Sequence, residues 1–533
     1  MPLVLLSFVL LPLFPFLLVV AVSRLYFNRK RVSGSFAFFH PFCDASGGGE
    51  RVLWLAINAL QKKFGQSNQK LHFVIFTGDF DRTPEQIIEK VRRLILKLNN
   101  YHLNKSLINN SYYHFLYFFP FSSSLFLFFT SLFRVRLRFG VSISPQSLRF
   151  VFLRFRWLLE AHNYPRFTLL GQMFAGFVLG CEALCRHCPE WFMDTTGCPL
   201  TLPLFRWIAC AKTMCYVHYP LITTEMVALV DSRAVSYNNS SQIASSIVLT
   251  NAKLFYYRLI SLLYCACGTS SQVTMANGSW TASHIANLWF CQPKVIFPPC
   301  NVETLSNLEN RTEQLLADGN PSLILSVGQI RPEKNHLEQL RIFAEVRRRL
   351  KERGSNLKIK LVIAGGCRNA GDWDRVDFLK KFALGNFQLN SDEAVQSDCD
   401  IAWQLNVPFA ELTDLLRSSL VGLHTMRNEH FGISVVEGMA AGTLMVAHNS
   451  GGPKMDIIAD NGNSVDEKGI YAGENGFLAT STEDYAEAIL RIIDMDKIGR
   501  NRIRERARQR VERFSDGQFE RIFCDAVEEL LRE

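Results

Sequence analysis

The chain has 533 residues, which is too long for a single hydrophobic core, so we expect two domains of ordinary size. The formal net charge is +9, but the Lys and Arg residues form no stripe interleaved with aromatic residues. The charge therefore fits an anionic membrane or phosphorylated ligands better than nucleic acid. The 14 cysteines show no disulfide-framework spacing, which favours a reducing compartment.

The chain opens with an uncharged apolar run over residues 2–22 that is long enough to cross a bilayer. Basic residues follow the run, at Arg24 and at 29–31, and no short cleavage site ends it. Because a signal peptide carries its positive charge before the apolar run, the pattern predicts an uncleaved anchor with its flank at residues 1–32. The positive-inside rule then predicts that the following domains are cytosolic.

A first α/β domain is predicted over residues 33–300. FAFFH forms a buried strand ending at His40, and a glycine-rich turn then leads into a helix from Glu50 to about Phe64. Such a turn lets the backbone approach a phosphate closely. The GGG run lacks the spacing of a dinucleotide fingerprint, so a flexible loop is the alternative. A strand at 71–76 and a helix at 84–98 continue the alternation.

Residues 99–145 depart from this pattern, being Asn-rich at first and then mostly Phe, Leu and Ser. The run 113–133 is long enough to span a bilayer. A full crossing would place the flanking segments on opposite sides of the membrane and prevent a single cleft. Two interpretations stay open: an insertion that dips into the membrane, or sequence foreign to the fold, such as a retained non-coding segment. We assign no function inside this interval.

The remainder of the first domain contains one candidate site residue. CYVHYP is predicted to form a strand over 215–220 whose end presents His218, and open α/β sheets place ligands at such strand ends. The segments 273–280 and 295–300 are predicted to be the last strands of the domain. A long apolar stretch over 164–185 suits core packing, with some aromatic side chains available for a membrane surface.

The segment CEALCRHC could hold zinc because it combines three thiols with an imidazole. It lacks a second, distant pair of ligands and continues an apolar helix, so we expect its side chains to pack instead. The residues concerned are Cys181, Cys185, His187 and Cys188.

A polar hinge is predicted over 301–320, and a second α/β domain over 321–500. The strand 323–328 is followed by the loop QIRPEKN, which places Arg331 and Lys334 just past a strand end. Two cations at this position can offset the charge of a diphosphate. The remaining elements complete a doubly wound parallel sheet followed by C-terminal helices within 501–533. They are a helix at 336–351, a strand at 360–366, helices at 374–384 and 409–418, the strand VGLH, and helices at 483–493 and 502–532.

Two acids eight residues apart dominate the stretch 423–453. Glu429 precedes a glycine-containing turn, and Glu437 lies one turn into a helix predicted over 434–441 and stopped by Gly442. A buried strand at 444–447 follows. Both carboxylates and the free N–H groups of the helix start can converge on one ligand. Carboxylates that bind hydroxyls, next to donors that bind phosphate, suit a sugar nucleotide.

The sequence EHFGISVVE, with Glu-(seven residues)-Glu, resembles the signature of the retaining GT-B glycosyltransferases of family 4. The words GLHTMRNEHFG, MAAGTLMVAHNSGGPK, VGQIRPEKNH and GGGERVLW resemble the eukaryotic α-1,2-mannosyltransferases that extend the lipid-linked N-glycan precursor. The resemblance covers nearly the whole chain except about 99–145. It implies an α/β protein of the GT-B fold, in which two Rossmann-like domains face a cleft and the last helices cross back to the first domain.

The resemblance also implies roles for individual residues. The donor sugar lies by His218 and is held by Glu429, and Glu437 holds the ribose. The residues themselves add that Arg331 and Lys334 can stabilise the leaving diphosphate, and because no Asp-x-Asp pair sits at a strand end, no metal is expected. The implied catalytic residues are His218, Arg331, Lys334 and Glu429. The implied donor-binding residues are Gly48, Gly49, Gly328, Arg331, Lys334, Glu429, Phe431, Gly432, Ile433, Ser434 and Glu437. One departure is Arg427, which stands where the family has an aromatic residue.

The partners implied by the resemblance are GDP-mannose as donor and the trimannosyl-chitobiosyl diphosphodolichol as acceptor, which receives two α-1,2 mannoses. No cofactor, metal or nucleic acid is expected. The expected location is the endoplasmic reticulum membrane, with a single pass and a cytosolic catalytic body, and other lipid-linked oligosaccharide mannosyltransferases are candidate partners. The alternatives are a related transferase with another donor or acceptor, or a catalytically impaired membrane-tethered scaffold.

Overall fold

The computed structural model describes residues 18–43, 47–64, 71–79, 143–233, 239–396, 398–458 and 471–532. The apolar run before residue 18, the helix predicted at 84–98 and the run at 113–133 lie outside the described residues. Within them the chain forms two sheets, one of seven strands and one of eight. This architecture confirms the predicted pair of Rossmann-like domains.

The first sheet is parallel throughout and has the strand order β3-β2-β1-β4-β5-β6-β7. Its central strand is buried on both faces from Ser35 to Phe39, as expected when helices cover both sides of a parallel sheet. The strands are β1 (Val32–Phe39), β2 (His72–Thr77), β3 (Leu148–Phe152), β4 (Pro189–Asp194), β5 (Lys212–Val217), β6 (Val273–Ala276) and β7 (Lys294–Val295).

The helices of the first half are α1 (18–30), α2 (Gly48–Phe64), α3 (Thr168–Arg186), α4 (Thr201–Pro203), α5 (Thr224–Asp231), α6 (Ser241–Ser245), α7 (Ile247–Gly268) and α8 (Ser279–Trp289). Helix α2 follows the glycine-rich turn and has Glu50 in its first turn and two lysines in its last. This charge order is favourable for the helix dipole. Short 3₁₀ or π turns lie at Pro145–Ser147, Arg154–Leu159, Ala161–Asn163 and Leu204–Ile208.

The second sheet has the order β10-β11-β9-β8-β12-β13-β15-β14 and is parallel except for the last pair. Its strands are β8 (Ser322–Val327), β9 (Ile359–Gly365), β10 (Ser391–Asp392), β11 (Ile401–Leu405), β12 (Val421–His424), β13 (Leu444–His448), β14 (Tyr471–Gly473) and β15 (Gly476–Ala479). Its helices are α9 (Val302–Ser306), α10 (Thr312–Ala317), α11 (His336–Glu352), α12 (Ala370–Phe387), α13 (Phe409–Ser418), α14 (Ile433–Ala441) and α15 (Thr482–Asp494). Short turns lie at Pro332–Lys334 and Pro453–Ile457.

Several predicted elements are wrong in their extent. Strand β5 ends at Val217, which leaves His218 just beyond it. The segment 273–280 is a strand only as far as Ala276, because a helix begins at Ser279. The segment 295–300 contributes only the last residue of the two-residue strand β7. The predicted hinge contains the short helices α9 and α10.

The helix predicted over 502–532 is two helices, α16 (Lys497–Val511) and α17 (Asp516–Arg532), separated by a 3₁₀ turn at Glu512–Phe514. The turn occurs where Phe514, only 1% exposed, packs into the apolar core on one face of the second sheet. After it, α17 crosses back to the first domain, as the resemblance implies.

Helix α17 packs against α2 of the first domain. Phe519, Phe523 and Val527 belong to the same buried cluster as Trp54 and the first sheet. Burying each large apolar side chain contributes about 1.5–3 kcal/mol. At the end of the contact, both carboxylate oxygens of Asp516 accept hydrogen bonds from one Arg51 nitrogen, at 2.7 and 2.8 Å. The two domains are thus joined by an apolar seam with a polar tie.

Asp456 makes a second tie between the domains. It belongs to the second domain, yet it accepts hydrogen bonds from the backbone N–H of Ser279, at 2.8 Å, and from the Ser279 hydroxyl. These contacts satisfy the start of helix α8 in the first domain. A Cβ at Gly278 would lie 2.9 Å from the Asp456 carboxylate, so glycine permits the approach.

In the segment considered for zinc, His187 and Cys188 make hydrogen bonds within the first domain. His187 hydrogen-bonds Ser35 at 2.6 Å, and the Cys188 thiol lies 3.4 Å from the carbonyl of Phe27. All 14 cysteines are free thiols. Across the described ranges, no group of three or more His, Cys, Asp or Glu side chains is placed to hold a metal ion.

Candidate active site

The carboxyl edge of the second sheet gathers the predicted phosphate-binding residues. After β8 the chain passes Gly328 and turns at Pro332–Lys334, and the Lys334 side chain folds back against Gly328, where a Cβ would lie 3.5 Å from its Cδ. The Lys334 ammonium then forms an ion pair with Oε2 of Glu429. Two residues that are 95 positions apart in sequence are thus in direct contact.

Glu429 has a second partner in His424, the last residue of β12. Nε2 of His424 lies 3.2 Å from the same carboxylate oxygen, and the imidazole is 5% exposed. Burial raises the pKa of Glu429, but the hydrogen bond with His424 and the charge of Lys334 outweigh it and hold the pKa well below its usual range. Glu429 is therefore ionised at every physiological pH.

The loop that carries Lys334 is fixed by side-chain hydrogen bonds. Thr425 donates its hydroxyl proton to the carbonyl of Lys334 at 2.9 Å, and Gln339 donates to the Thr425 hydroxyl at 3.0 Å. Asn335 ends the turn in the left-handed region, with φ of 51°, which asparagine tolerates better than most residues. The ammonium group is thus presented on a rigid turn.

Arg331 stands at the start of the same turn with its side chain 42% exposed, and its nearest described acid is Glu333 at 3.9 Å. Arg368, at the end of the neighbouring strand β9, is a third cation at this edge. Burial lowers its pKa first, the charge of Arg331 lowers it further, and Glu50 of the first domain acts in the opposite direction. Sequence reasoning missed Arg368, although its position two residues past the AGG strand end is the same signal that identified Arg331.

Helix α14 confirms the helix predicted over 434–441 and begins one residue earlier, at Ile433. It begins after Gly432, whose φ of 116° requires glycine, and it ends at Gly442 with φ of 86°. Ile433 and Ser434 are partly exposed at its start, where free backbone N–H groups point out of the helix. This end faces the first domain.

Glu437 and Phe431 contact residues other than Lys334. Glu437 accepts a hydrogen bond from Asn301 at 3.0 Å, and burial raises its pKa while Asn301 and the charge of Arg51 lower it. The Phe431 ring is only 2% exposed and packs 5.1 Å from Phe514, so its backbone alone can reach a ligand.

The first domain brings the start of α2 against the start of α14. A Cβ at Gly48 would lie 2.5 Å from Cδ1 of Ile433, so the start of α2 lies directly against the Ile433 side chain. A Cβ at Gly49 would lie 3.6 Å from Nε2 of His218. Two helix N-termini and one imidazole therefore meet between the domains.

His218 carries an unsatisfied nitrogen in this space. Its Nε2 is buried and has no hydrogen-bond partner among the residues that the structure describes. Burial lowers its pKa to about 4, with the charge of His40 acting in the same direction. A neutral imidazole with a free ring nitrogen can donate to, or accept from, a sugar hydroxyl.

The arrangement supplies the groups that a sugar nucleotide needs: cations for a diphosphate, an ionised carboxylate for hydroxyls, and helix ends for phosphate oxygens. The structure brings together Gly48, Gly49, His218, Ile433, Gly328, Lys334 and Glu429 along the two facing edges. The sequence analysis did not identify His424, which hydrogen-bonds Glu429, because in the sequence it appears only as a residue of a predicted strand.

Two Rossmann-like domains with this set of groups along their facing edges define a GT-B glycosyltransferase. The fold is similar to that of sucrose-phosphate synthase from Thermosynechococcus elongatus, with a TM-score of 0.58 and 13% identity over 93% of this chain and 99% of that one. It is also similar to the Anabaena protein HepE, with a TM-score of 0.52 and 12% identity over 93% and 99% of the two chains.

The chain belongs to the family of the GDP-Man:Man(3)GlcNAc(2)-PP-Dol alpha-1,2-mannosyltransferases. The Caenorhabditis elegans member is 40% identical over 95% of this chain and 93% of its own length. The Homo sapiens member is 40% identical over 93% and 87%. Residues 33–127 and 128–289 match the family described as ALG11 mannosyltransferase N-terminus, and residues 308–510 match Glycosyl transferases group 1.

Proposed function

We propose that the chain transfers mannose from GDP-mannose to Man(3)GlcNAc(2)-PP-dolichol in α-1,2 linkage, twice in succession. The observation that carries the proposal is the 40% identity to enzymes of that name over nearly the whole chain. The contact between Lys334 and Glu429 supports it, because it puts a phosphate-binding cation beside a sugar-binding acid.

In the proposed complex the donor lies along the carboxyl edge of the second sheet. Lys334 and Arg331 bind the diphosphate, Glu429 accepts hydrogen bonds from mannose hydroxyls, and Glu437 binds the ribose. No metal takes part in this proposal, since the cations and the start of α14 can offset the phosphate charge. The Glu429 carboxylate, already engaged by Lys334 and His424, suits a sugar hydroxyl better than a cation.

The proposed chemistry retains the configuration at the anomeric carbon. The bond between mannose C1 and the β-phosphate oxygen breaks, and the acceptor 2-hydroxyl forms its bond to C1 on the same face. The acceptor proton passes to the departing phosphate oxygen of GDP, so no protein nucleophile is needed. Lys334 and Arg331 lower the barrier by stabilising the charge that develops on the leaving diphosphate.

We further propose that the enzyme resides at the endoplasmic reticulum membrane, with a single pass and its catalytic body in the cytosol. The proposed pass is the apolar run at residues 2–22. Of the described helices, α3 is also long and apolar enough to cross a membrane by length and composition, but its Leu179, Ala183 and Leu184 pack in the core of the first domain. Helix α7 contains no acidic residue, and its outward stripe is 48% to 75% exposed. Apolar helices of this kind suit a bilayer surface. The residues of the stripe are Val248, Phe255, Leu259 and Leu262.

The test uses the full chain in lipid vesicles with a synthetic Man(3)GlcNAc(2)-PP-lipid and a panel of labelled sugar nucleotides. We expect that only GDP-mannose transfers its label and that the product is heavier than the acceptor by two hexoses. An α-1,2-specific mannosidase should release both added mannoses, and a chelator should not reduce the activity. Transfer from another sugar nucleotide, or another linkage, would overturn the proposed substrate assignment. Loss of activity with the chelator would overturn its metal-free part.

A further inference from the structure

A group of aromatic and polar side chains borders the donor site on the side of the first domain. Tyr219 follows His218 at the end of β5, and its ring is 4.2 Å from that of His430, the neighbour of Glu429. The ring of Trp280, on α8, also lies 5.4 Å from the His430 ring. Tyr219 is 40% exposed and Trp280 only 7%, so Tyr219 is the ring that a ligand can cover.

Glu225 lies on helix α5 of the same domain. Its carboxylate is 3.5 Å from Nε2 of His284 and also hydrogen-bonds Thr223, yet the side chain remains 42% exposed and can be reached by a ligand. The hydrogen bond with His284 lowers the pKa of Glu225, and the charge of Arg427 lowers it further. Glu225 is therefore an ionised, oriented acceptor. His284 is in turn held by its ring contact with Trp280, at 4.3 Å.

The Tyr219 hydroxyl lies 3.5 Å from the sulfur of Met226, the neighbour of Glu225, so the two side chains are close together. An exposed aromatic ring near an oriented carboxylate is complementary to a hexose, which has an apolar C–H face and a rim of hydroxyl donors. The same carboxylate would repel a phosphate. The donor phosphates and donor sugar already have partners in the second domain, whereas Tyr219, Glu225 and His284 all belong to the first. The ligand that fits here is a neutral sugar that enters from the first domain.

We propose that Tyr219 and Glu225 form the subsite for the terminal mannose of the acceptor, with the Tyr219 ring against the sugar face and Glu225 accepting its hydroxyls. The inference rests on the proposed function and specifies where its acceptor binds. The contact of Tyr219 with His430 places this sugar beside the residue that follows Glu429, where its hydroxyl can meet the donor.

The test compares Glu225→Gln and Tyr219→Ala with the wild-type chain in vesicles. We expect the KM for the lipid-linked acceptor to rise about tenfold in each, the loss typical of one good contact to a ligand, with the KM for GDP-mannose unchanged. Asp231→Asn, at the exposed far end of the same helix, is the matched control and should alter neither constant. An unchanged acceptor KM in Glu225→Gln, or an equal rise in the donor KM, would overturn the subsite.

A calorimetric measurement of the affinity for the free oligosaccharide Man(3)GlcNAc(2) tests this inference separately from the proposed function. Binding that Glu225→Gln weakens supports the subsite even if the wild-type chain transfers no mannose, an outcome that would overturn the proposed function alone. Binding that is equal in wild type and in both variants overturns the subsite even if transfer is efficient.

Discussion

Lys334 forms an ion pair with Glu429, and the proposed donor would bring a diphosphate next to the same ammonium group. Phosphate oxygens then compete with the Glu429 carboxylate for Lys334. His424 stays on Glu429 at 3.2 Å and keeps one side of the carboxylate satisfied, which leaves the other oxygen for a sugar hydroxyl. The pair therefore holds both side chains in place for the donor.

Changing Lys334 to Ala should lower kcat by roughly 10²-fold, the cost of removing one donor that stabilises developing negative charge. The measurement is single-turnover transfer at saturating GDP-mannose. Lys351→Ala, on the exposed end of α11, is the control and should leave turnover unchanged. Normal turnover without Lys334 would show that the leaving group is stabilised by other residues.

Glu437→Gln should weaken the binding of GDP-mannose by about tenfold. The substitution keeps the shape of the side chain but removes the negative charge that accepts hydrogen bonds from the ribose hydroxyls. Since Asn301 donates to Oε1 of Glu437, a glutamine can keep that contact through its own carbonyl oxygen, and thermal stability should change little. Calorimetric titration with GDP-mannose checks the affinity. Equal affinity in the two proteins would remove Glu437 from the donor site.

At the scale of single elements, the start of helix α11 contains a buried titratable group. His336 is 1% exposed, and among the described residues its ring has only a weak contact with the backbone of Arg331. Burial lowers its pKa from 6.5 to about 4, and the charges of Arg375 and Lys334 lower it further. As the pH falls, His336 is therefore protonated at a lower pH in the folded protein than in the unfolded chain. His336 therefore stabilises the fold above pH 6.5 and loses that contribution towards pH 4.

Replacing His336 by Gln should remove this pH dependence. Between pH 6.5 and 4 the wild-type chain should lose about 2 to 3 kcal/mol more of its unfolding free energy than the variant. Urea unfolding at several pH values in this window measures the difference. His162→Gln, at an exposed position, is the control and should follow the wild type. Parallel curves for wild type and His336→Gln would mean that His336 titrates normally.

The elements show what the sequence could and could not predict. The positions of Lys334 and Glu429 were predictable because strand ends of a parallel sheet meet at one edge, and the structure places the two in contact. The break before Asp516 was not predictable, since residues 502–532 read as one continuous helix. Its cause is tertiary: Phe514 packs against the rings of Phe297 and Phe431, and Asp516 pairs with Arg51 of the other domain.

At the scale of the whole molecule, the C-terminal helix links the domain that carries the donor residues to the one that carries His218. The link combines the apolar face of α17 with the contact between Arg51 and Asp516. Arg51 is 7% exposed, and it also donates to the carbonyl of Pro299 at 3.1 Å. Its partner Asp516 is 33% exposed, and burial raises its pKa while Arg51 opposes the rise. A buried cation left without its partner is costly.

A double-mutant cycle with Arg51→Ala and Asp516→Ala should therefore give a coupling free energy of about 1 to 3 kcal/mol in unfolding, as for contacting groups in one polar network. Arg51 lies in the first turn of α2, next to Gly48, and Gly48 lies against Ile433, so we expect each single variant also to lower kcat/KM for transfer. The exposed pair Arg348 and Glu352 is the control and should show no measurable coupling, because solvent screens it. Additive effects of Arg51→Ala and Asp516→Ala would mean that this pair does not help to link the domains, which would then be held by the apolar seam and by the hydrogen bonds of Asp456 with Ser279.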